Sequence, residues 1–241
     1  MARGRMGFWQ RFAAVIVRPV MIMWTRRTWR GAEHIPATGP VIIVANHLSH
    51  ADPLVASHFI YSAAERWPQF LAKASLFSAP VIGPLLKRVR QIPVYRNSTD
   101  AAKALEAAVT AVKSGDLVII YPEGTTTREP DLWPMRGRTG VARLALATGA
   151  PVVPMVMWGP QHIFDPRTHK FSVRPRRPVT VVAGPPMDLS RWTGVPPTAA
   201  TLNELTDEIM LRLRDMLAEI RGEAAPPLWS PTRAESKKET R

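Results

Sequence analysis

His47 and Asp52 close an apolar run in the segment Asn46-His47-Leu48-Ser49-His50-Ala51-Asp52. An imidazole backed by a carboxylate is a general base, because the carboxylate fixes the tautomer and stabilises the imidazolium formed on proton uptake. Further along, a second apolar run ends in Tyr121-Pro122-Glu123-Gly124-Thr125. A glycine there lets the backbone approach an anion, and successive amides with the hydroxyls of Thr125, Thr126 and Thr127 can form a phosphate nest. Arg128, Arg136 and Arg138 follow closely. One chain holding both features suggests that a hydroxyl is activated beside a bound phosphate.

Each feature also has a plain structural reading. Asp52 precedes Pro53, and Asp followed by Pro commonly starts a helix, so Asp52 could be a cap and nothing more. A Glu-Gly-Thr sequence can be a simple turn. Lys73 and Arg96 each follow a short apolar run and read either as solvated cations or, if those runs are parallel strands sharing an edge with His47 and Glu123, as ligands. His47, His50 and Asp52 could offer three metal ligands, but their spacing fits no helical zinc signature and no second cluster completes a site, so no metal is expected. The chain has no cysteine and no Gly-x-Ser-x-Gly elbow, which removes disulfides, thiolate chemistry and the usual templates for a covalent acyl-enzyme.

The elements that must position these residues alternate along the chain. Val/Ile-rich runs at 40–45, 69–72, 91–94, 117–121, 152–157 and 179–183 lack polar alternation, the pattern of strands buried on both faces. Helical stretches are expected between and after them at 53–65, 79–88, 99–114, 137–148 and 201–221. The sequence predicts an α/β fold, with a largely parallel or mixed central sheet and helices on both faces. Residues 160–178, rich in Pro, Arg and His, read as a surface loop. The end of the chain, with Pro226-Pro227 and little to bury, reads as a disordered basic tail.

The 241 residues carry a formal charge of +13 at pH 7, which attracts polyanions without choosing among nucleic acid, anionic lipid and phosphorylated substrates. The first 32 residues hold Arg3, Arg5, Arg11, Arg18, Arg26, Arg27 and Arg30 and no acidic residue. Between them, residues 8–24 are apolar, but too short and too interrupted to cross a bilayer, which takes about 20 apolar residues. No small-residue cleavage site follows, as a secretory signal would need. Two readings remain: a helix packed on the protein's own core, or a bent amphipathic membrane-associated segment, kinked at Pro19, with Trp9 and Trp24 at headgroup depth. The charge bias and the flanking tryptophans favour the second. The expected organisation is a membrane-interface helical segment over 1–28, one catalytic domain over 29–221 and a tail over 222–241.

Taken together, these segments resemble the glycerolipid acyltransferase family that includes bacterial 1-acyl-sn-glycerol-3-phosphate acyltransferases. Asn46 with His47 and Asp52 matches its first motif, Ile92-Pro93-Val94-Tyr95-Arg96 resembles its second, Tyr121 to Thr125 its third and Val152-Val153-Pro154 its fourth. Lys73 matches a basic position between the first two. The resemblance implies a one-step transfer from an acyl thioester to the free hydroxyl of 1-acyl-sn-glycerol-3-phosphate, giving phosphatidic acid in phospholipid biosynthesis. His47 would be the base and Asp52 its orienting partner, with Lys73, Arg96, Glu123, Gly124 and Thr125 holding the glycerol phosphate. It implies no cofactor, acyl-CoA or acyl carrier protein as co-substrate, and a peripheral or monotopic setting on the anionic cytoplasmic face of the cell membrane. Glycerol-3-phosphate or another lysolipid is the alternative acceptor. The third motif departs from the family pattern, which continues with Arg-Ser after Glu-Gly-Thr. Thr126 stands at the arginine position, so a phosphate ligand is either missing or supplied by Arg128, Arg136 or Arg138. A metal-dependent hydrolase and a nucleic-acid-binding module are the rivals from other classes, and no nucleic-acid motif supports the latter.

Overall fold

The computed structural model describes residues 7–94 and 98–230, with side chains from residue 102 onward in the helix that starts at Ser98. In chain order the elements are α1 (Phe8–Trp24), β1 (Thr25–Arg30), β2 (Val41–Ala45), α2 (Asp52–Ala63), β3 (Pro68–Lys73), α3 (Ile82–Arg88), β4 (Ile92–Val94), α4 (Ser98–Lys113), β5 (Leu117–Ile120), α5 (Gly140–Thr148), β6 (Val152–Trp158), β7 (Arg177–Ala183) and α6 (Ala199–Arg221). The strands form one seven-stranded sheet in the order β1-β7-β6-β2-β5-β3-β4. Every pair is parallel except β6 with β7, so the sheet is mixed.

The continuous apolar strands are apolar because both faces are covered. Along β2, Val41, Ile43 and Ala45 face one layer, in which α1 and α2 contribute Met21, Val55, Phe59 and Ile60. Ile42 and Val44 face the other, where Ala108 and Val112 of α4, Leu144 of α5 and Leu205 and Ile209 of α6 pack. Period-two alternation in a strand buried on both sides sends successive side chains into different cores. At the edge where β2 and β5 begin, the half-buried guanidinium of Arg66 donates to the carbonyls of Pro36 (2.9 Å), Gly39 (2.7 Å) and Gly115 (3.0 Å), closing the loops there. The opposite edge is left for chemistry.

Three expectations change. Residues 25–28 are not part of the N-terminal helix: α1 ends at Trp24 and Thr25–Arg30 is an edge strand in register with β7, so a boundary at residue 28 falls inside β1. Helix α1 runs through Pro19, and its exposed side is apolar: Phe8, Phe12, Val15, Ile16, Ile22 and Met23 all face solvent, while Ala13, Ala14 and Met21 pack inward. Trp24 is held by the protein itself, its indole N–H donating to the carbonyl of Ser172 (3.1 Å) and its ring meeting Phe171 edge-on at 4.7 Å. The start of the tail is ordered by packing: Ala225 and Leu228 rest on the α4–α5–α6 core, and Arg136 N donates to Trp229 O at 2.9 Å. Residues 231–241 lie outside the described residues. Among the described residues, no helix is long and apolar enough to cross a membrane.

Candidate functional site

His47 follows β2 by two residues and Tyr121 follows β5 directly, and these strands are parallel neighbours, so the two segments meet at the carboxyl edge of the sheet. That edge is where parallel sheets present ligand sites. Asp52 is the first residue of α2 but does not cap it; Oδ2 is turned back over the preceding loop. It accepts hydrogen bonds from Leu48 N (2.6 Å), from Ser49 N (2.9 Å) and from His47 Nδ1 (2.8 Å). The carboxylate is fully buried, and a carboxylate acceptor at Nδ1 places the ring proton there, leaving Nε2 as the basic nitrogen.

The third motif holds His47 from the other side. Glu123 is buried, and its two carboxylate oxygens accept from His47 N (2.9 Å) and Met135 N (3.1 Å). Thr127 N then donates to His47 O at 2.7 Å, so both backbone polar groups of His47 are tied to this loop. Burial pushes the Glu123 pKa up to about 8, with the Asp52 charge adding to that shift and the amides of Met135 and His47 opposing it. The Tyr121 ring stacks on the imidazole, 4.3 Å between centroids and 19° from parallel. Glu123 was expected to touch the ligand; here it stands behind the site and anchors the loop that carries the base.

In front of His47 lies a cavity of about 770 Å³. Its walls are mostly apolar: Ala13, Ala14 and Val17 of α1, Leu54 of α2, Phe70 to Ala72 of β3 and Leu86 of α3. His47, Lys73, Gly124 and Thr125 all line this cavity together with Thr126, so four of the expected site residues border the same space. Gly124 has φ +73°, a conformation that favours glycine. Arg96, also expected at the site, lies outside the described residues. His50 also borders this cavity, its ring 6.4 Å from His47, 5.5 Å from Phe164 and 6.3 Å from His169. No cluster of three potential metal-binding side chains forms among the described residues.

With this geometry in hand, likeness to known proteins narrows the class. The model of a family described as Acyltransferase matches residues 26–158, more than half of the chain. The chain belongs to the acyltransferase family. Among its relatives, a 1-acyl-sn-glycerol-3-phosphate acyltransferase of Borreliella burgdorferi is 34% identical over 135 residues, covering 56% of this chain and 52% of that protein. One of the same name from Limnanthes douglasii is 31% identical over 166 residues, covering 68% and 55% respectively. The chain thus spans about half the length of the curated relatives it matches. The crystal structure of the 1-acyl-sn-glycerophosphate (LPA) acyltransferase PlsC from Thermotoga maritima has the same fold, with a TM-score of 0.63 at 22% identity over 90% of this chain and 83% of that one.

The segment shared with the acyltransferase family contains His47, Asp52, Lys73 and the Glu123-Gly124-Thr125 turn. Other contacts that shape the site were not foreseen from the sequence, although Asn46 itself was read as part of the first motif. Asn46 is fully buried; its side-chain amide donates to Met157 O (3.0 Å) and accepts from Met157 N (2.8 Å), which pins the end of β2 to β6. A buried Asn at a strand end was the available signal. The Pro160–Pro178 stretch is more than a surface loop: Ser49 Oγ donates to Phe164 O at 2.6 Å, and Ile163 is buried in the α1–α2 core. No local pattern announces that contact, because the acceptor is a main-chain carbonyl 115 residues away.

Proposed function

We propose that this protein transfers a fatty acyl group from an acyl thioester, carried on coenzyme A or acyl carrier protein, to the free hydroxyl of 1-acyl-sn-glycerol-3-phosphate. The observation that carries the reading is His47, which lines a large apolar cavity, with Nδ1 held 2.8 Å from the buried Asp52 carboxylate. His47 Nε2 removes the acceptor hydroxyl proton as that oxygen attacks the thioester carbonyl. The tetrahedral intermediate collapses by breaking the C–S bond, and the imidazolium returns its proton to the departing thiolate. Asp52 stabilises the imidazolium throughout. The cavity offers the acyl chain an apolar home, and Lys73 with the Gly124-Thr125 turn faces the phosphate. No cofactor takes part in these steps. Family membership and the names of the relatives support the same acceptor.

The setting we propose is peripheral, on the anionic cytoplasmic face of a membrane. The support is the unpartnered outer side of α1, where Val15 is 70% and Ile16 50% exposed, together with the basic residues around it. Phe171 and Val173 extend this surface beyond Trp24. The deciding experiment follows thiol release from oleoyl-CoA by wild type and His47→Ala, with lysophosphatidate, with glycerol-3-phosphate and with no acceptor. Acceptor-dependent release that falls by orders of magnitude in His47→Ala supports general-base transfer, and the preferred acceptor names the reaction. Release that is independent of acceptor, or that survives the substitution, refutes it.

A further inference from the structure

The chain between β6 and β7 folds back on itself as a small hairpin. Ser172 N donates to Ile163 O (2.8 Å), Asp165 N donates to Lys170 O (3.0 Å), and Phe164 and Phe171 form an antiparallel bridge. The hairpin is anchored from two sides. Ile163 is buried in the α1–α2 core and Phe164 O accepts from Ser49 Oγ. Toward α1, Trp24 holds Ser172 and Phe171, and Arg176 N donates to Met23 O at 3.3 Å. Despite this support, the outer side chains are left in water: Val173 is 83% exposed, Met23 64% and Phe171 49%. Three such side chains gathered at one place differ from the single exposed aliphatics of an ordinary surface.

The apolar group has basic neighbours. Lys170, Arg174 and Arg176 are exposed on the same segment, and none of them has an ion-pair partner among the described residues. The acid of the hairpin, Asp165, accepts from the backbone of Arg167 and Thr168 (2.8 and 3.0 Å). Apolar side chains interleaved with long cations suit an anionic bilayer, where the former leave water and the latter stay among headgroups. The position suits it too. Because β7 runs antiparallel to β6, the segment leading into β7 lies at the sheet edge that carries His47. At the far end of the hairpin, the His169 ring is 6.3 Å from that of His50, which borders the cavity.

We propose that residues 163–176 are a second membrane-contact element, separate from α1. Phe171 and Val173 enter the acyl boundary of the bilayer, and Lys170, Arg174 and Arg176 take anionic headgroups. This rests on the peripheral-membrane reading above and deepens it. A single interfacial helix leaves the domain free to roll about the helix axis. A second contact fixes that rotation and holds the sheet edge with His47 at the interface, where a lysolipid acceptor resides.

The test measures binding to vesicles of phosphatidylcholine with phosphatidylglycerol, and of phosphatidylcholine alone. The proteins are wild type, Val173→Glu, Lys170→Gln with Arg174→Gln, and Val15→Glu with Ile16→Glu as the α1 control. Thermal midpoints and rates on a short-chain lysophosphatidate below its micellar concentration are taken in parallel, with acyl-CoA and acyl carrier protein as donors. Val173→Glu is expected to weaken binding to the mixed vesicles by about tenfold or more. Removing two cations should cost about fivefold for each, an effect that fades with added salt and is absent on phosphatidylcholine alone. Midpoints and rates on the soluble acceptor should stay near wild type. Undiminished binding in both hairpin variants while the α1 control loses it would overturn the proposal. So would a raised KM for acyl carrier protein with unchanged vesicle binding, since the patch would then receive an acidic protein, or a binding loss that tracks a lowered thermal midpoint. A wild type that ignores both kinds of vesicle would refute the peripheral reading itself, and the hairpin's role with it.

Discussion

Replacing Asp52 by asparagine separates the charge of the His47 partner from its geometry. Oδ2 accepts three hydrogen bonds, from His47 Nδ1, Leu48 N and Ser49 N, whereas Oδ1 is buried without a partner among the described residues. The amide of the Asp52→Asn variant can therefore keep its oxygen at the Oδ2 position and place its nitrogen at the unpartnered one. The loop retains its anchors, and one buried amide goes unsatisfied at a cost of about 1–3 kcal/mol. What disappears is the negative charge facing the imidazolium. Unit charges about 4 Å apart interact by roughly 4 kcal/mol at an effective dielectric constant near 20. If the imidazolium forms in the transition state and not before, kcat falls by about a thousandfold with little change in KM. The assay is thiol release under saturating donor and acceptor, with thermal unfolding run in parallel. Asp52→Ala is the contrast, because it also strips the acceptor from Leu48 N and Ser49 N and should loosen the loop. An Asp52→Asn enzyme that is folded and retains kcat within tenfold of wild type would refute the general-base reasoning.

Further predictions follow from the same contacts. Glu123→Gln sets an amide donor against one of the two backbone N–H groups that Glu123 now satisfies, costing about 1–3 kcal/mol. Because the Glu123 pKa is raised to about 8, the wild type is progressively destabilised as pH climbs from its unfolded value of 4.5 through 8, so the gap to Glu123→Gln should narrow along that climb in denaturant titrations. His58 behaves in the opposite sense. Burial first, then Arg27 and Arg18, lower its pKa to about 4, so its contribution is complete above 6.5 and lost progressively as pH falls to 4. His58→Phe should flatten that acid limb, and an unchanged limb would discount His58 as its source. Val15→Glu with Ile16→Glu should leave the fold intact and weaken binding to anionic vesicles by roughly a hundredfold or more, since each exposed aliphatic side chain contributes about 1.5–3 kcal/mol when it leaves water. Undiminished binding would remove α1 from the membrane reading. Point charges are preferable to deleting residues 1–28, which would cut away four residues of β1.

The parts of this fold that could be read from the sequence are those whose environment leaves a local mark. β2, β5 and β6 are buried on both faces, so their residues are uniformly apolar and stand out as strands. β1 is an edge strand in which only Thr25 is buried, and Thr-Arg-Arg-Thr-Trp-Arg carries no apolar run to reveal it. The reversed direction of β7 is equally silent, since strand composition does not encode which neighbour a strand will pair with. At the site, His47 and Asp52 were legible because both partners are side chains close in sequence. The role of Glu123 was not, because its partners are the backbone amides of His47 and Met135, and a main-chain N–H has no signature in composition. The same holds for Asn46 against Met157.

These main-chain ties change what the third motif means in this chain. Glu123 fixes the amide of His47, Thr127 fixes its carbonyl and Tyr121 lies against its ring, so the loop after β5 is a support for the base as well as a border of the cavity. Substitutions within one short segment should then divide by mechanism. Changes at Glu123 move the base relative to the acceptor and should lower kcat, because a displaced base loses transition-state contact more than ground-state binding. Changes at Thr125, which borders the cavity, alter the surface offered to the acceptor and should raise KM. The division can be checked inside a single set of variants, and it has a physical origin: the side chain of Glu123 points behind the loop, while Gly124, Thr125 and Thr126 face the cavity. A Glu123 variant with normal kcat and raised KM would place that carboxylate on the ligand after all, and the hydrogen bonds to His47 and Met135 would then be incidental to catalysis.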